Sequence, residues 1–223
     1  KEMTTPYVPL YSALRPQTFD DIAGQESVIK LIRSFLSKDF LPSMIFYGPP
    51  GTGKTTIARI ASEQFGAKMY RFSAVVDGVS EIKKKIYADS ASVLVGRQIV
   101  FIDEVHRFNK AQQDVFLPMI ESEGVVFIGA TTENPSFYIN DALLSRARCV
   151  KFSKISLNET LKVLEKAVRH LNATVPEDLK KIIAQESGGD LRIAISIIES
   201  AFHLSSNGVI KKDDVMELIE NPQ

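Results

Sequence analysis

Met44-Ile45-Phe46-Tyr47, followed without a break by Gly48-Pro49-Pro50-Gly51-Thr52-Gly53-Lys54-Thr55, is the stretch on which the fold turns. Four apolar residues run into a glycine-rich segment matching G-x-x-x-x-G-K-[ST], and apolar residues at helical spacing take over from Lys54. A strand, a loop and a helix N-terminus therefore follow in the order a phosphate-binding loop requires. The glycines let backbone N–H groups close around phosphate at the positive end of the helix, Lys54 reaches the β- and γ-phosphates, and Thr55 serves Mg²⁺. Gly48, Pro49, Pro50, Gly51, Thr52, Gly53, Lys54, Thr55 and Thr56 form the candidate nucleotide-binding set. A chance match arises in about 1% of chains this long at ordinary Gly, Lys and Ser/Thr usage.

Downstream, short apolar runs alternate with longer segments of helical period, the pattern of parallel strands joined by crossover helices. Strands are predicted at Met44–Tyr47, Lys68–Ser73, Gln98–Ile102, Val125–Ala130 and Cys149–Phe152, with helices at Lys54–Gln64, Ser80–Ala88, Lys110–Glu121 and Asp141–Arg146. Runs such as Ile99-Val100-Phe101-Ile102 are apolar on both faces, as buried parallel strands are. The expected fold is α/β, a P-loop nucleotide-binding domain on a five-stranded parallel sheet over residues 1–152.

After Phe152 only helical periodicity remains, so a second, all-helical domain is expected over 153–223. Ser156 and Glu159 form a capping box before Leu157, Leu161, Leu164 and Val168. A second helix opens around Pro176 with Glu177 placed to cap, a third starts at Asp190, and a fourth starts near Asp213.

Composition narrows the classes. The 223 residues are 44% hydrophobic and 24% charged, which excludes disordered and disulfide-scaffold architectures. No run nears the roughly 18 apolar residues of a membrane span, so no membrane partner is expected. The single cysteine, Cys149, makes no internal disulfide, and a cytoplasmic location is the default. Lys plus Arg and Asp plus Glu both total 27, evenly spread, so any nucleic-acid partner needs a local patch rather than bulk charge. The chain opens on Lys1 rather than Met, as expected of a piece of something longer or a processed product.

Ile99-Val100-Phe101-Ile102-Asp103-Glu104 is an apolar strand ending in two carboxylates. Beside a phosphate loop, a strand-end Asp holds Mg²⁺ and a neighbouring acid orients or deprotonates water, which assigns Asp103 to the metal and Glu104 to the water. Thr131, Thr132 and Asn134 follow the next strand; they either contact the γ-phosphate or water, with Thr131 foremost, or simply end the strand. Arg146, a short helix beyond, is positioned to project toward a neighbouring subunit's γ-phosphate, and Arg192 opens a helix of the second domain. By spacing alone both read as surface arginines. His106, His170 and His203 show no metal-ligand spacing, so His106 reads as a structural or hydrogen-bonding residue. Lys83-Lys84-Lys85 reads as a solvated helix face.

The phosphate loop, Asp103-Glu104, Thr131-Thr132, Ser145-Arg146 and Gly189-Asp190-Leu191-Arg192 occur in the order found in AAA+ ATPases. Within that superfamily, Arg15-Pro16-Gln17-Thr18-Phe19, Ile22-Ala23-Gly24-Gln25, Asp103 through Lys110 and Gly129 through Phe137 resemble the replication-associated recombination protein A family (RarA or MgsA), which includes the Werner-helicase-interacting protein of eukaryotes. The resemblance implies a DNA-dependent ATPase, using Mg²⁺ and cycling between ATP and ADP, that maintains replication forks and acts in repair and recombination. It implies roles for Lys54 on the phosphates, Thr55 and Asp103 on Mg²⁺, and Glu104 on water. Arg146 matches the arginine finger acting in trans, Arg192 matches the second sensor, and Arg15, Pro16 and Ile22 lie in the segment that packs near adenine. Implied partners are DNA at forks, gaps or single-strand/duplex junctions, other copies of the chain, and replication proteins such as single-strand-binding protein, with a nucleoid-associated location in a bacterium.

Family members usually continue past the lid into a tetramerising region, whereas the sequence ends at Gln223, and one cysteine cannot build the zinc finger of eukaryotic members. A clamp-loader subunit or Holliday-junction branch-migration motor would share every catalytic residue. A nucleotide-gated scaffold for repair proteins is the alternative of another class, and a small-molecule kinase is disfavoured by Arg192 and the Asp103-Glu104 pair.

Overall fold

The structure is a computed structural model that describes residues 7–90 and 96–220, apart from the side chains of 87–90. In chain order the helices are α1 (Leu10–Ala13), α2 (Glu26–Leu36), α3 (Lys54–Gln64), α4 (Val79–Ser90), α5 (Lys110–Asp114), α6 (Leu117–Ile120), α7 (Pro135–Tyr138), α8 (Asp141–Arg146), α9 (Leu157–His170), α10 (Glu177–Glu186), α11 (Leu191–Leu204) and α12 (Lys212–Glu220). The strands are β1 (Met44–Tyr47), β2 (Lys68–Ser73), β3 (Gln98–Asp103), β4 (Val125–Thr131) and β5 (Arg148–Lys151). The described chain forms two compact units: residues 25–90 with 96–153, and residues 7–24 together with 154–220.

In the first unit all five strands are parallel, in the order β2-β3-β4-β1-β5. From β1 the chain crosses to the far edge at β2 and returns one strand at a time, until β4 lies beside β1 with Tyr47 opposite Thr131. This order brings the C-terminal ends of β3, β4 and β1 side by side, and ligands of open α/β sheets bind outside such ends. Buried β-branched and aromatic side chains explain the strands. Ile45, Val100, Ile102 and Phe127 belong to one core with Phe116, Ile139 and Leu143 from the helices, and Phe46 meets Phe152 at 5.0 Å between ring centroids.

The helix expected over Lys110–Glu121 is two short helices. Pro118 has no N–H to return to the carbonyl of Asp114, so α5 ends at Asp114 and α6 restarts at Leu117 with the proline in its first turn.

In the second unit α9 to α12 enclose Leu164, Ala167, Ile183, Ala194, Ile198 and Val215. Ser156 caps α9 by accepting the N–H of Glu159 at 3.2 Å, and Asp190 caps α11 through the N–H groups of Arg192 and Ile193. Glu177 was expected to cap α10 but makes no cap bond; Pro176 precedes the helix, and the Glu177 carboxylate pairs with the Lys180 ammonium one turn on. The segment before Gly24, expected with the sheet, is grouped with these helices instead. It carries no strand pattern, Leu10 is buried in the helical core, and the Leu10 N–H donates to Glu199 Oε1 at 2.7 Å. No described helix is long and apolar enough to cross a membrane.

Candidate functional site

The glycine-rich segment leaves β1 by a route that only glycine allows. Gly48 has φ 144°, and a Cβ built there would lie 2.2 Å from the carbonyl oxygen of Phe152. Its N–H donates to the carbonyl of Thr131 at 3.2 Å, so the loop is tied at its first residue to the end of β4. Gly51 (φ 66°) and Gly53 (φ 98°) are left-handed, and Gly53 is the residue from which α3 starts. A Cβ on Gly53 would meet nothing within 4 Å. The space beside Gly53 is therefore open at the N-terminus of α3, and a helix N-terminus is where phosphate is favoured.

Lys54 is 9% exposed, and its Nζ donates to the carbonyls of Gly48 at 2.8 Å and Pro49 at 2.7 Å. The ammonium is thus held inside the curl of the loop. Thr52 donates its hydroxyl to the Pro49 carbonyl at 2.8 Å, while Thr55 and Thr56 are buried at the start of α3. Gln25 braces the loop from outside. Its Nε2 donates to the carbonyls of Thr52 (3.2 Å) and Ser153 (2.7 Å), and its Oε1 accepts the Ser153 N–H (3.2 Å).

Asp103 closes β3 with a side chain 25% exposed, 3.8 Å from the Arg71 guanidinium. The following residue, Glu104, turns the chain in the left-handed region (φ 53°, ψ 41°), a conformation that costs a non-glycine residue roughly 1–3 kcal/mol and recurs at functional sites. Its N–H donates to Asp103 Oδ1 at 3.1 Å. Thr131, 1% exposed at the end of β4, places Oγ1 2.8 Å from Nδ1 of His106 and accepts the N–H of Glu133 at 3.0 Å. The same His106 Nδ1 is 3.2 Å from Glu104 Oε2. Thr132 is exposed, and Asn134 caps α7 by accepting the Ser136 N–H.

Phosphate loop, Asp103, Glu104 and Thr131 are therefore linked across adjoining strands of one unit. Arg146 is engaged elsewhere: its Nε donates to Glu121 Oε1 at 2.7 Å and its Nη1 to the Ala142 carbonyl at 3.1 Å, with 40% of the side chain exposed. Arg192, Arg15, Pro16 and Ile22 belong to the helical unit, where Arg192 lies 5.7 Å from the ring centroid of Tyr11. Lys85 of the basic run sits 5.8 Å from the Phe72 ring centroid, and Lys84 is exposed. The sequence reading took His106 as a structural or hydrogen-bonding residue without naming its partners, and gave no structural role to Gln25 or Glu121. Each acts on a residue distant in the chain, so no local pattern announces it.

The residues present fit a magnesium nucleotide. The loop leaves open the space a Cβ on Gly53 would fill, and Asp103 with Thr55 supplies hard oxygen donors. Among the described residues no group of three or more His, Cys, Asp and Glu side chains could hold a metal. Mg²⁺ characteristically uses one or two carboxylates, with water and substrate phosphates completing its shell.

A strand-loop-helix phosphate site, acids at the end of β3 and a polar residue at the end of β4 define a P-loop ATPase. Residues 44–157 match the model of the ATPase family associated with various cellular activities (AAA), and the chain belongs to this family of ATP-hydrolysing enzymes. It is 44% identical over 202 residues to replication-associated recombination protein A of Haemophilus influenzae, covering 86% of this chain and 45% of that protein. It is 39% identical over 224 residues to the ATPase WRNIP1 of Dictyostelium discoideum, covering 95% of this chain and 25% of that protein. The chain thus spans less than half the length of either relative. Among solved structures, the Thermotoga maritima RuvB Holliday junction branch migration motor is similar at a TM-score of 0.76 and 25% identity, over 93% of this chain and 72% of that one.

Proposed function

We propose that this chain is the nucleotide-hydrolysing core of a DNA-dependent ATPase that acts in replication-fork maintenance, recombination and repair. The observation that carries the reading is the alignment of the phosphate loop, Asp103-Glu104 and Thr131 at neighbouring strand ends, with Gly48 bonded directly to Thr131. The similarity to replication-associated recombination protein A and WRNIP1 supports the biological setting. DNA at forks, gaps or junctions, assembly with other copies of the chain, and contact with single-strand-binding protein belong to the same proposal. So do a lid role for the helical unit and a cytoplasmic, nucleoid-associated location in a bacterium.

In this reading the N–H groups from Gly51 to Thr56 and the Lys54 ammonium bind the phosphates of ATP or ADP, and Thr55 and Asp103 hold Mg²⁺. The metal, when bound, neutralises charge on the transferring phosphoryl group. Glu104 accepts a proton from the attacking water at a carboxylate oxygen. Thr131 donates its hydroxyl toward the terminal phosphate. Arg146 leaves Glu121 to stabilise transition-state charge in a neighbouring chain, a contribution of about 10³ to 10⁵ in rate where such a finger operates. Arg192 couples the helical unit to the nucleotide, and Arg15, Pro16 and Ile22 contact the adenine.

The test is steady-state ATP hydrolysis over a range of protein concentrations, with and without forked DNA, for the wild type, Glu104→Gln and Arg146→Ala. A rate per chain that rises with concentration and DNA, and is lost in both variants, is expected. Hydrolysis that persists in Glu104→Gln would refute the assignment.

A further inference from the structure

The His106 imidazole sits between two groups to which the proposed chemistry gives separate tasks, and one ring atom faces both. Nδ1 is 2.8 Å from Thr131 Oγ1 and 3.2 Å from Glu104 Oε2. A ring nitrogen of neutral histidine either carries a hydrogen and donates or carries a lone pair and accepts. Nδ1 therefore cannot accept from Thr131 and donate to Glu104 at once.

Two arrangements are open to it. Thr131 Oγ1 accepts the Glu133 N–H at 3.0 Å and keeps both a second lone pair and its own hydrogen, so it can donate to Nδ1 or accept from it. Given to Nδ1, that hydrogen makes the ring an acceptor with its own hydrogen on Nε2. Glu104 Oε2 then faces a lone pair and receives no bond from the ring. When the Thr131 hydroxyl is drawn to another acceptor, Nδ1 takes a proton from solvent water as Nε2 releases its own to solvent, and the resulting Nδ1–H donates to Glu104 Oε2. The ring is positioned for this exchange. Its side chain is 11% exposed, Tyr138 packs against it edge to face with centroids 6.1 Å apart, and Tyr138 is itself anchored by its carbonyl accepting from Gln113 Nε2 at 2.9 Å.

We propose that His106 is a positioning residue that passes the hydrogen-bonding state of Thr131 to Glu104 by exchanging the imidazole tautomer. This rests on the ATPase reading above, in which Thr131 donates to the terminal phosphate and Glu104 takes the water's proton. With a triphosphate bound, Nδ1–H fixes one carboxylate oxygen of Glu104 and leaves the other to accept the proton. With none bound, Thr131 holds Nδ1 and Glu104 is unfixed. Loss of the phosphate signal thus withdraws the general base from its working orientation.

The test combines ring spectroscopy with kinetics on the whole chain. The ¹⁵N shifts of the His106 ring, assigned with His106→Asn, separate the Nε2–H from the Nδ1–H tautomer. They are recorded without nucleotide and with Mg²⁺ and the non-hydrolysable analogue AMP-PNP. The expected result is Nε2–H without nucleotide and Nδ1–H with it. In parallel, His106→Leu lowers kcat about tenfold or more while the ATP dissociation constant stays within about twofold, since only orientation of the base is lost. His106→Asn, whose amide supplies a donor near the Nδ1 position, recovers part of the rate. The same tautomer in both states, or an unchanged kcat in His106→Leu, overturns the proposal while leaving the ATPase reading intact. A His106→Leu chain whose melting temperature and ATP affinity fall along with kcat, with no recovery in His106→Asn, assigns the ring to packing and overturns it too. Wild-type chain that does not bind AMP-PNP, or binds ATP without hydrolysing it, removes the ATPase reading and this proposal together.

Discussion

Gly48→Ala is a direct probe of how the phosphate loop is built. The added methyl would lie 2.2 Å from the Phe152 carbonyl oxygen and 3.0 Å from the Phe152 carbonyl carbon and Cβ. Carbon and oxygen normally approach no closer than about 3.3 Å, so the chain after β5 must retreat by about 1 Å. Two backbone bonds lie in the path of that movement: Phe152 N–H to the Tyr47 carbonyl at 2.7 Å, and Gly48 N–H to the Thr131 carbonyl at 3.2 Å. Each contributes about 0.5–1.5 kcal/mol net, and alanine at φ 144° adds roughly 1–3 kcal/mol of strain. The expected loss is about 2–6 kcal/mol, or a melting temperature lower by roughly 4–24 °C at 2–4 °C per kcal/mol for a chain of this size. Gly53→Ala is the contrast, because its methyl meets nothing within 4 Å and incurs only the strain of φ 98° while filling open space at the start of α3. Calorimetry with titration of a fluorescent ATP analogue separates the two: Gly48→Ala loses stability first, Gly53→Ala loses nucleotide affinity first. A Gly48→Ala protein that melts within a degree of wild type, or a Gly53→Ala protein that is the less stable of the two, would show that the close approach to Phe152 does not hold the loop.

Glu121→Gln releases Arg146 from an exposed ion pair worth about 0.2–1 kcal/mol, so if Arg146 acts in trans, ATP turnover at limiting protein concentration rises about 1.4- to 5-fold; a rate at or below wild type contradicts that role. Gln25→Ala strips two hydrogen bonds from the carbonyls of Thr52 and Ser153 and lowers stability by about 1–3 kcal/mol, read by urea unfolding. The Asp21 carboxyl is held below its ordinary pKa by the Thr18 hydroxyl and then by the Thr18 N–H, within a capping box before Ile22. A depressed carboxyl adds stability that is present above the unfolded value of about 3.9 and disappears as pH falls through the folded one. Asp21→Asn should therefore lose less stability than wild type between neutral pH and pH 3; equal losses in the two proteins would remove Asp21 from the acid transition.

The strands around the loop were legible because each is a short buried apolar run with a sharp end. β1, β2 and α3 begin and end at the expected residues, β3 and β4 run one residue further, and β5 (Arg148–Lys151) is shifted one residue earlier at both ends, leaving Phe152 outside it. The single helix expected over Lys110–Glu121 failed because the apolar period continues past Pro118 while the backbone hydrogen bonds cannot. The N-terminal segment was misplaced because Leu10 and Phe19 say only that something is buried, not which core receives them. In the site, Lys54 opens α3 and Asp103, Glu104 and Thr131 stand at strand ends, positions that motif and periodicity locate. Gln25, His106 and Glu121 instead reach Ser153, Thr131 and Arg146, and such pairings are set by topology and invisible to spacing.

The strand order also bears on how the chain is made. β1 pairs with no neighbour near it in sequence: Met44 meets Ile128 of β4 and Arg148 of β5, and the first bonds of the loop run to Thr131 and beside Phe152. During synthesis the phosphate loop emerges early, yet it cannot take its shape until β4 and β5 have both left the ribosome and closed on β1. Closure of such distant parallel pairs is intrinsically slow. Nucleotide binding is thus confined to chains whose sheet is complete, and a ribosome-bound chain stalled before residue 151 should not retain ATP.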